Sequence, residues 1–196
     1  DASGALDNNG LSSGGNPGGG LGNGGEGGAP LPPEEELESN YSAPVATGKY
    51  VWIANPTSGR VAYIDATTLE VHVVEAGNAP THVAAIPDPD ADVAIVLNVL
   101  SNDATVLRAK GTELTAESLP VPSSGNSWTV AKDGRCAVAC TDARRIEKAD
   151  PIDGFQDLTV LDLKTGAMKS TALTVGYRPV AVAFDDAESR AFAITQ

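Results

Sequence analysis

After residue 48, apolar and polar positions alternate with a period of two in runs of five to seven residues rich in Val, Ile, Thr and Ala. That period sends successive side chains to opposite faces of a sheet, so each run predicts a half-buried β-strand. Turn residues separate the runs, as at Thr165-Gly166, Gly176-Tyr177-Arg178-Pro179 and Asp185-Asp186-Ala187-Glu188. No amphipathic pattern of period 3.6 lasts three turns, and the prediction is all-β.

The strands recur in register. KYVWIAN (Lys49 to Asn55), DVAIVLN (Asp92 to Asn98), RCAVACT (Arg135 to Thr141) and RAFAITQ (Arg190 to Gln196) start 43, 43 and 55 residues apart. A second series, Gly77-Asn-Ala-Pro80, Gly125-Asn-Ser-Trp128 and Gly176-Tyr-Arg-Pro179, is spaced by 48 and 51. The third is a strand ending in an acid, RVAYID (Arg60 to Asp65) and LTVLDL (Leu158 to Leu163), with ATVLRA (Ala104 to Ala109) as a degenerate copy. A period in the forties to fifties that holds four strands is the size of one β-propeller blade. Alanines inside the strands suit the close sheet-to-sheet approach of stacked blades.

These residues resemble a known family. G-x-x-P, then V-A-V-A-F-D-D and R-A-F-A-I-T, with V-A-Y-I-D-A-T-T-L-E-V upstream, are similar to the YVTN-type repeats of bacterial secreted and surface proteins, relatives of the lactonase-like propellers. The resemblance covers residues 49–196. It implies that G-x-x-P opens the innermost strand, that the KYVWIAN type is second, that the acid-ended strand is third and that Glu70-Val-His-Val-Val74 is fourth. On that map residues 49–196 hold about three blades: two complete inner-to-outer sets and two partial ones. Propellers close with about four to eight blades, so an incomplete ring is expected, with the rest supplied by a longer protein or by another chain.

Composition splits the chain. Twelve of the 21 glycines precede Ala29, and no Lys or Arg precedes Lys49. Residues 1–48 therefore read as a Gly/Asn-rich, then Pro/Glu-rich acidic tail, too poor in large apolar groups to bury a core. It resembles the stalk of a bacterial lipoprotein, and an assembly arm between subunits is the other possibility. The net charge of -13 disfavours nucleic acid and anionic membrane surfaces. No apolar run reaches the length of a transmembrane segment. An exported protein is expected, periplasmic, outer-membrane-anchored or extracellular.

Candidate chemistry is sparse. Cys136 and Cys140 on one strand stand about 13 Å apart, beyond the roughly 7 Å that a disulfide spans, so two buried small hydrophobes are expected. Asp88-Pro-Asp90-Ala-Asp92 has the alternation of a calcium loop, yet Val93 and Val99 stand where such a loop needs Gly and Glu. A hairpin turn fits better. The haem signature C-x-x-C-H is absent, and no cofactor or metal site is predicted. Of the two histidines, His72 reads as surface, whereas His82 follows Pro80 at the mouth of an inner strand and is a candidate to line the central channel.

The loops carry more. Connections from fourth to first strands share one end of a propeller with second-to-third connections, and in this family that end usually carries the ligand site. It gathers Asn102, Asp103, Trp128, Tyr177 and Arg178, together with an insertion at 142–155. The insertion places Arg144, Arg145 and Lys148 on an otherwise acidic chain. The expected function is a non-enzymatic module binding a protein or a glycan, with these residues and His82 as the binding set and no catalytic set. Two alternatives stand beside it: an enzyme subunit, lactonase-like or redox, whose active residues lie in other blades, and a structural subunit assembled through its tail.

Overall fold

The computed structural model describes residues 43–146, 155–164, 166–185, 187 and 190–196. The tail up to residue 42, Lys148 with the middle of the insertion, Asp186 and Glu188 lie outside the described residues.

Among the described residues, fourteen strands fall into four antiparallel sheets. The first contains β1 (Val45–Ala46), β2 (Tyr50–Asn55), β3 (Arg60–Asp65) and β4 (Val71–Glu75), in that order across the sheet. The second runs β5 (Pro80–Ile86), β6 (Asp92–Asn98), β7 (Asp103–Lys110) and β8 (Glu113–Pro120). The third runs β9 (Ser127–Val130), β10 (Cys136–Cys140), β11 (Asp157–Asp162) and β12 (Lys169–Thr174). The last has β13 (Pro179–Phe184) and β14 (Ala191–Thr195). Each sheet is a consecutive meander, and β1, β5, β9 and β13 are the first strands that pack from one sheet to the next. These are propeller blades in an incomplete ring.

The expected order of strands within each blade is observed, with one addition. The sequence starts the first blade on its second strand, whereas Val45-Ala46, inside the stretch 1–48 read as a tail, pairs with Trp52 and Val51 and fills the innermost position. Two residues between Pro44 and the Thr47 turn are too few to show an alternating pattern, but they suffice for a short ladder.

Hairpins are closed by side-chain carboxylates and amides. Asn55 Oδ1 accepts from the N–H groups of Thr57 and Ser58 at 3.1 Å each, Asp65 Oδ1 from Thr67 and Thr68 at 2.8 and 3.1 Å, and Asp88 Oδ1 from Asp90 and Ala91 at 2.9 and 3.0 Å. Asp133 and Asp162 cap the N–H two residues on in the same way. Such turns mimic a backbone turn, which explains why an acid recurs at strand ends. The Asp88 carboxylate also pairs with Arg108, and Asp92 Oδ1 accepts from Lys49 N–H at 2.9 Å. Asp88 and Asp92 of the calcium-like stretch are therefore committed to holding the turn and its neighbours.

The core lies between blades. Tyr50, Trp52, Ala54 and Val61 of the first pack on Ala94 and Val96 of the second. Val93, Ile95 and Leu97 of the second pack on Ala137, Ala139 and Leu161 of the third. Val138, Cys140 and Leu158 of the third meet Val182 and Phe184 of the last. Alternation thus divides the second strands of the second and third blades: Val93, Ile95 and Leu97, or Val138 and Cys140, face forward, while Ala94 and Val96, or Ala137 and Ala139, receive the preceding blade. Cys136 and Cys140 are not joined by a disulfide, and Cys140 is buried, which pushes its thiol up from the usual value. His72 is half exposed, as expected, and stacks on Tyr63 at 5.0 Å.

Candidate functional site

At the inner edge of the first three blades, Val45 of β1, His82 of β5 and Trp128 of β9 line one cavity of about 370 Å³, with Asn126 and Arg145 at its rim. It therefore lies on the axial side of the arc. Trp128 is fixed by its indole N–H, which donates to the His82 carbonyl at 3.1 Å and so ties β9 to β5. His82 Nδ1 stands 3.0 Å from Thr81 Oγ1. Burial, followed by the nearby positive charge of Arg145, lowers the His82 pKa from its usual value, so the ring is neutral at physiological pH.

The root of the insertion is built around a buried acid that sequence reasoning did not single out. Asn126 behaves as a peptide mimic: its Oδ1 accepts from Asp142 N–H at 2.7 Å, and its Nδ2 donates to Asp142 O at 3.1 Å. That lock holds the insertion against the connection between β8 and β9. The Asp142 side chain is only 3% exposed and accepts from Arg144 N–H at 3.0 Å, capping a single 3-10 turn, Ala143–Arg145. Its two oxygens also take Nε and Nη2 of Arg144 at 2.9 and 2.8 Å. The Arg144 hydrogen bond, more than offsetting the cost of burial, holds the Asp142 carboxyl below the usual range. The signal was present in the chain as an Asp followed two residues later by Arg, but the same pattern occurs in ordinary turns.

The two arginines diverge from this anchor. Arg144 Nη2 reaches on to the Val180 carbonyl of β13 at 2.6 Å and links the insertion to the last blade. Arg145 Nη1 donates to the Asn126 carbonyl at 3.3 Å, with its Nε 3.6 Å from Asp142 Oδ2, and its side chain is 58% exposed. Arg145 is thus the cation that borders the cavity, while Arg144 acts mainly as a strut.

The other predicted residues separate into two groups. Tyr177 and Arg178 lie on the connection between β12 and β13, where the Arg178 guanidinium covers the Tyr177 ring at 5.1 Å. Arg178 has a left-handed backbone, φ 47°. Asn102 and Asp103 serve the turn between β6 and β7: Asn102 Oδ1 accepts from Ser124 N–H at 3.3 Å, and Asp103 Oδ1 accepts from Ser101 Oγ at 2.6 Å. Ser101 Oγ in turn accepts from Asn78 N–H at 2.9 Å. These bonds join neighbouring connections at one end of the arc. The structure therefore brings His82, Trp128 and Arg145 together around one cavity and leaves Asn102, Asp103, Tyr177 and Arg178 outside its lining.

A wider cavity, about 880 Å³, opens at the opposite end between the second and third blades. Its Arg108 and Arg135 are paired with Asp88 and Asp133, so its charges are largely balanced internally. Among the described residues no group of three or more His, Cys, Asp or Glu is placed to hold a metal ion, and no helix is long and apolar enough to cross a membrane.

No protein-family model matches the chain, and no curated protein matches it either. Solved structures share its fold. Hydrazine synthase of Kuenenia stuttgartiensis is 20% identical with a TM-score of 0.56, over 76% of this chain and 39% of that one. Two 6-phosphogluconolactonase-like proteins, from Bacteroides uniformis and Bacteroides fragilis, are 13% and 12% identical with TM-scores of 0.54 and 0.55, each over 79% of this chain and 47% of the other. The chain spans less than half the length of these structures. At such identities the likeness is one of fold: this is a β-propeller protein.

Proposed function

We propose that the protein is a non-enzymatic binding module of the YVTN-type propeller kind, exported by a bacterium and acting at the cell surface or in an extracellular assembly, where it holds an acidic glycan. The observation that carries this reading is the cavity at the inner blade edge, where an exposed Arg145 borders the partly buried Trp128 and the neutral His82. Arginine offers planar donors to a carboxylate, an indole offers an apolar wall to a sugar ring, and a neutral imidazole both donates and accepts. The acidic, Gly-rich tail supports an exported protein held away from a surface.

The test is titration of the 196-residue chain with oligogalacturonate, followed calorimetrically. Saturable binding that is lost in Arg145→Ala and weakened in Trp128→Ala supports the reading, and Arg145→Ala binding like the parent refutes it. The likeness to 6-phosphogluconolactonase-like proteins favours one second reading, a lactonase-like hydrolase. Release of acid from 6-phosphogluconolactone above the spontaneous rate, abolished by His82→Ala, would establish that reading in its place.

A further inference from the structure

A further cavity, of about 440 Å³, lies between the outer halves of the second and third blades. Its floor is the face of the third blade that turns toward the second. Thr159 stands opposite Ala139, and Ser170 opposite Leu161, and both Ala139 and Leu161 pack on the second blade. Ala172, opposite Thr159, belongs to the same floor. The connection from Pro120 to Ser123 adds to the lining, as does Phe155 on the returning limb of the insertion, whose backbone is left-handed at φ 40°. No lining residue is shared with the cavity of His82, Trp128 and Arg145.

The repeat supplies a comparison inside the chain. Thr105 holds the place in the second blade that Thr159 holds in the third. Thr105 pairs with Val96 and Ser118, Thr159 with Ala139 and Ala172, and Val96 and Ala139 fall at the same position of DVAIVLN and RCAVACT. Both threonines are buried, at 2% and 3% exposure. The Thr105 hydroxyl is satisfied by Asn98 Nδ2 at 2.9 Å and Ser118 Oγ at 3.1 Å.

In the third blade both partners are replaced. Thr141 stands for Asn98 and donates its hydroxyl to the Ser123 carbonyl at 3.0 Å, while Ala172 stands for Ser118 and has no polar group to offer. The Thr159 hydroxyl is left without a partner among the described residues. Asn98 Oδ1 is the one side-chain oxygen or nitrogen among them that is both fully enclosed and unpaired, so the Thr159 hydroxyl is not enclosed and opens on the cavity it lines. Buried polar groups are ordinarily hydrogen-bonded, and what completes this one is a molecule in the cavity.

We infer that this cavity binds an uncharged sugar through Thr159. The hydroxyls of Thr159 and Ser170 both donate and accept, as those of a sugar do. Phe155 and Pro122 offer apolar surface to a ring. No Lys or Arg among the described residues lines the cavity, and the exposed carboxylate of Asp157 disfavours an anion there. The volume is that of a small-ligand pocket. This site stands independently of the acidic-glycan reading of the Arg145 cavity.

The experiment is a chemical-shift titration of the isotope-labelled 196-residue chain with glucose, galactose, mannose and N-acetylglucosamine. At least one should bind saturably and shift the amides of Thr159, Ser170 and Ala172. Thr159→Val keeps the volume and removes the hydroxyl, and should bind that sugar about tenfold more weakly. Because the hydroxyl has no partner in the chain, the same variant should melt no lower than the parent, whereas Thr105→Val, which orphans Asn98 Nδ2, should melt lower. Ala172→Ser gives Thr159 the partner that Thr105 has, and should also weaken binding. Arg145→Ala should bind the sugar like the parent, which separates the two cavities. Absence of shifts with all four sugars, undiminished binding by Thr159→Val or Ala172→Ser, loss of binding in Arg145→Ala, or a Thr159→Val that melts as far below the parent as Thr105→Val would overturn the inference.

Discussion

Replacing Gly134 by Ala tests the tightest point of the joint between the second and third blades. Gly134 has φ 71°, and a Cβ built on it would lie 1.9 Å from the Pro87 carbonyl oxygen and 3.0 Å from its carbon, both backbone atoms. Gly111 supplies the control: its φ is 62°, and nothing lies within 4 Å of the corresponding Cβ. An L-residue in the left-handed region costs about 1–2 kcal/mol, and both substitutions carry that cost. Only Gly134→Ala must also push a backbone carbonyl aside, and overpacking of this kind costs about 1–3 kcal/mol more. Gly111→Ala should therefore destabilise by about 1–2 kcal/mol and Gly134→Ala by about 2–5 kcal/mol. Urea denaturation of both, compared at equal slope, reads the difference. Equal losses would mean that the two blades yield at Pro87 without cost, and the account of the joint would fail.

Three further outcomes follow from the same geometry. The Asp65 carboxyl is lowered to about 2, first by its hydrogen bond from Lys49. A depressed folded value gives stability that is complete above the ordinary carboxylate range and lost as pH falls, so melting temperature should drop from about pH 4 toward pH 2; Asp65→Asn should flatten that part of the profile, and an unchanged profile would exclude the pair as its cause. Asp142→Ala removes the cap on Arg144 N–H and the acceptor for both arginines, and should cost about 1–2 kcal/mol in urea denaturation; a neutral effect would show that Asn126 alone holds the insertion. With a thiol reagent, Cys136, which is half-buried, should label in the native protein, whereas buried Cys140 should label only on unfolding, as peptide mapping by mass spectrometry would show; equal rates would contradict the packing of β10.

The architecture was legible because a propeller repeats its physics. Strand alternation, the acid at each hairpin and G-x-x-P before an inner strand are local patterns, and each recurs often enough to be aligned. What escaped depends on which side a strand turns. Aligned with KYVWIAN, RAFAITQ would send Ala191 and Ala193 forward, as Tyr50 and Trp52 are. In the structure Phe192 and Ile194 take that side, because β14 pairs one residue out of step: Val182 stands opposite Ala193, whereas its counterpart Val83 stands opposite Val96, which aligns with Ile194, and a one-residue slip exchanges the two faces. Part of the lining of the candidate cavity was legible: Trp128 and Arg145 follow from loop positions, and His82 from the mouth of an inner strand. Asp142, whose burial makes it the anchor, looked like one more loop acid, and Arg144, chosen as a recognition residue, spends its donors on Asp142 and Val180.

Because the described sheets pack chiefly on the sheets beside them in the chain, resistance to opening should be graded along the arc. β6, whose residues Val93 to Asn98 are wholly shielded by neighbours on both sides, has two joints to lose before its amides meet water. β14 is exposed along its whole length and has none beyond its one ladder. Amide exchange should therefore advance inward from β14, as in other quasi-one-dimensional repeats, and a partner seated on the last blade would move that front outward, slowing exchange in strands it never touches.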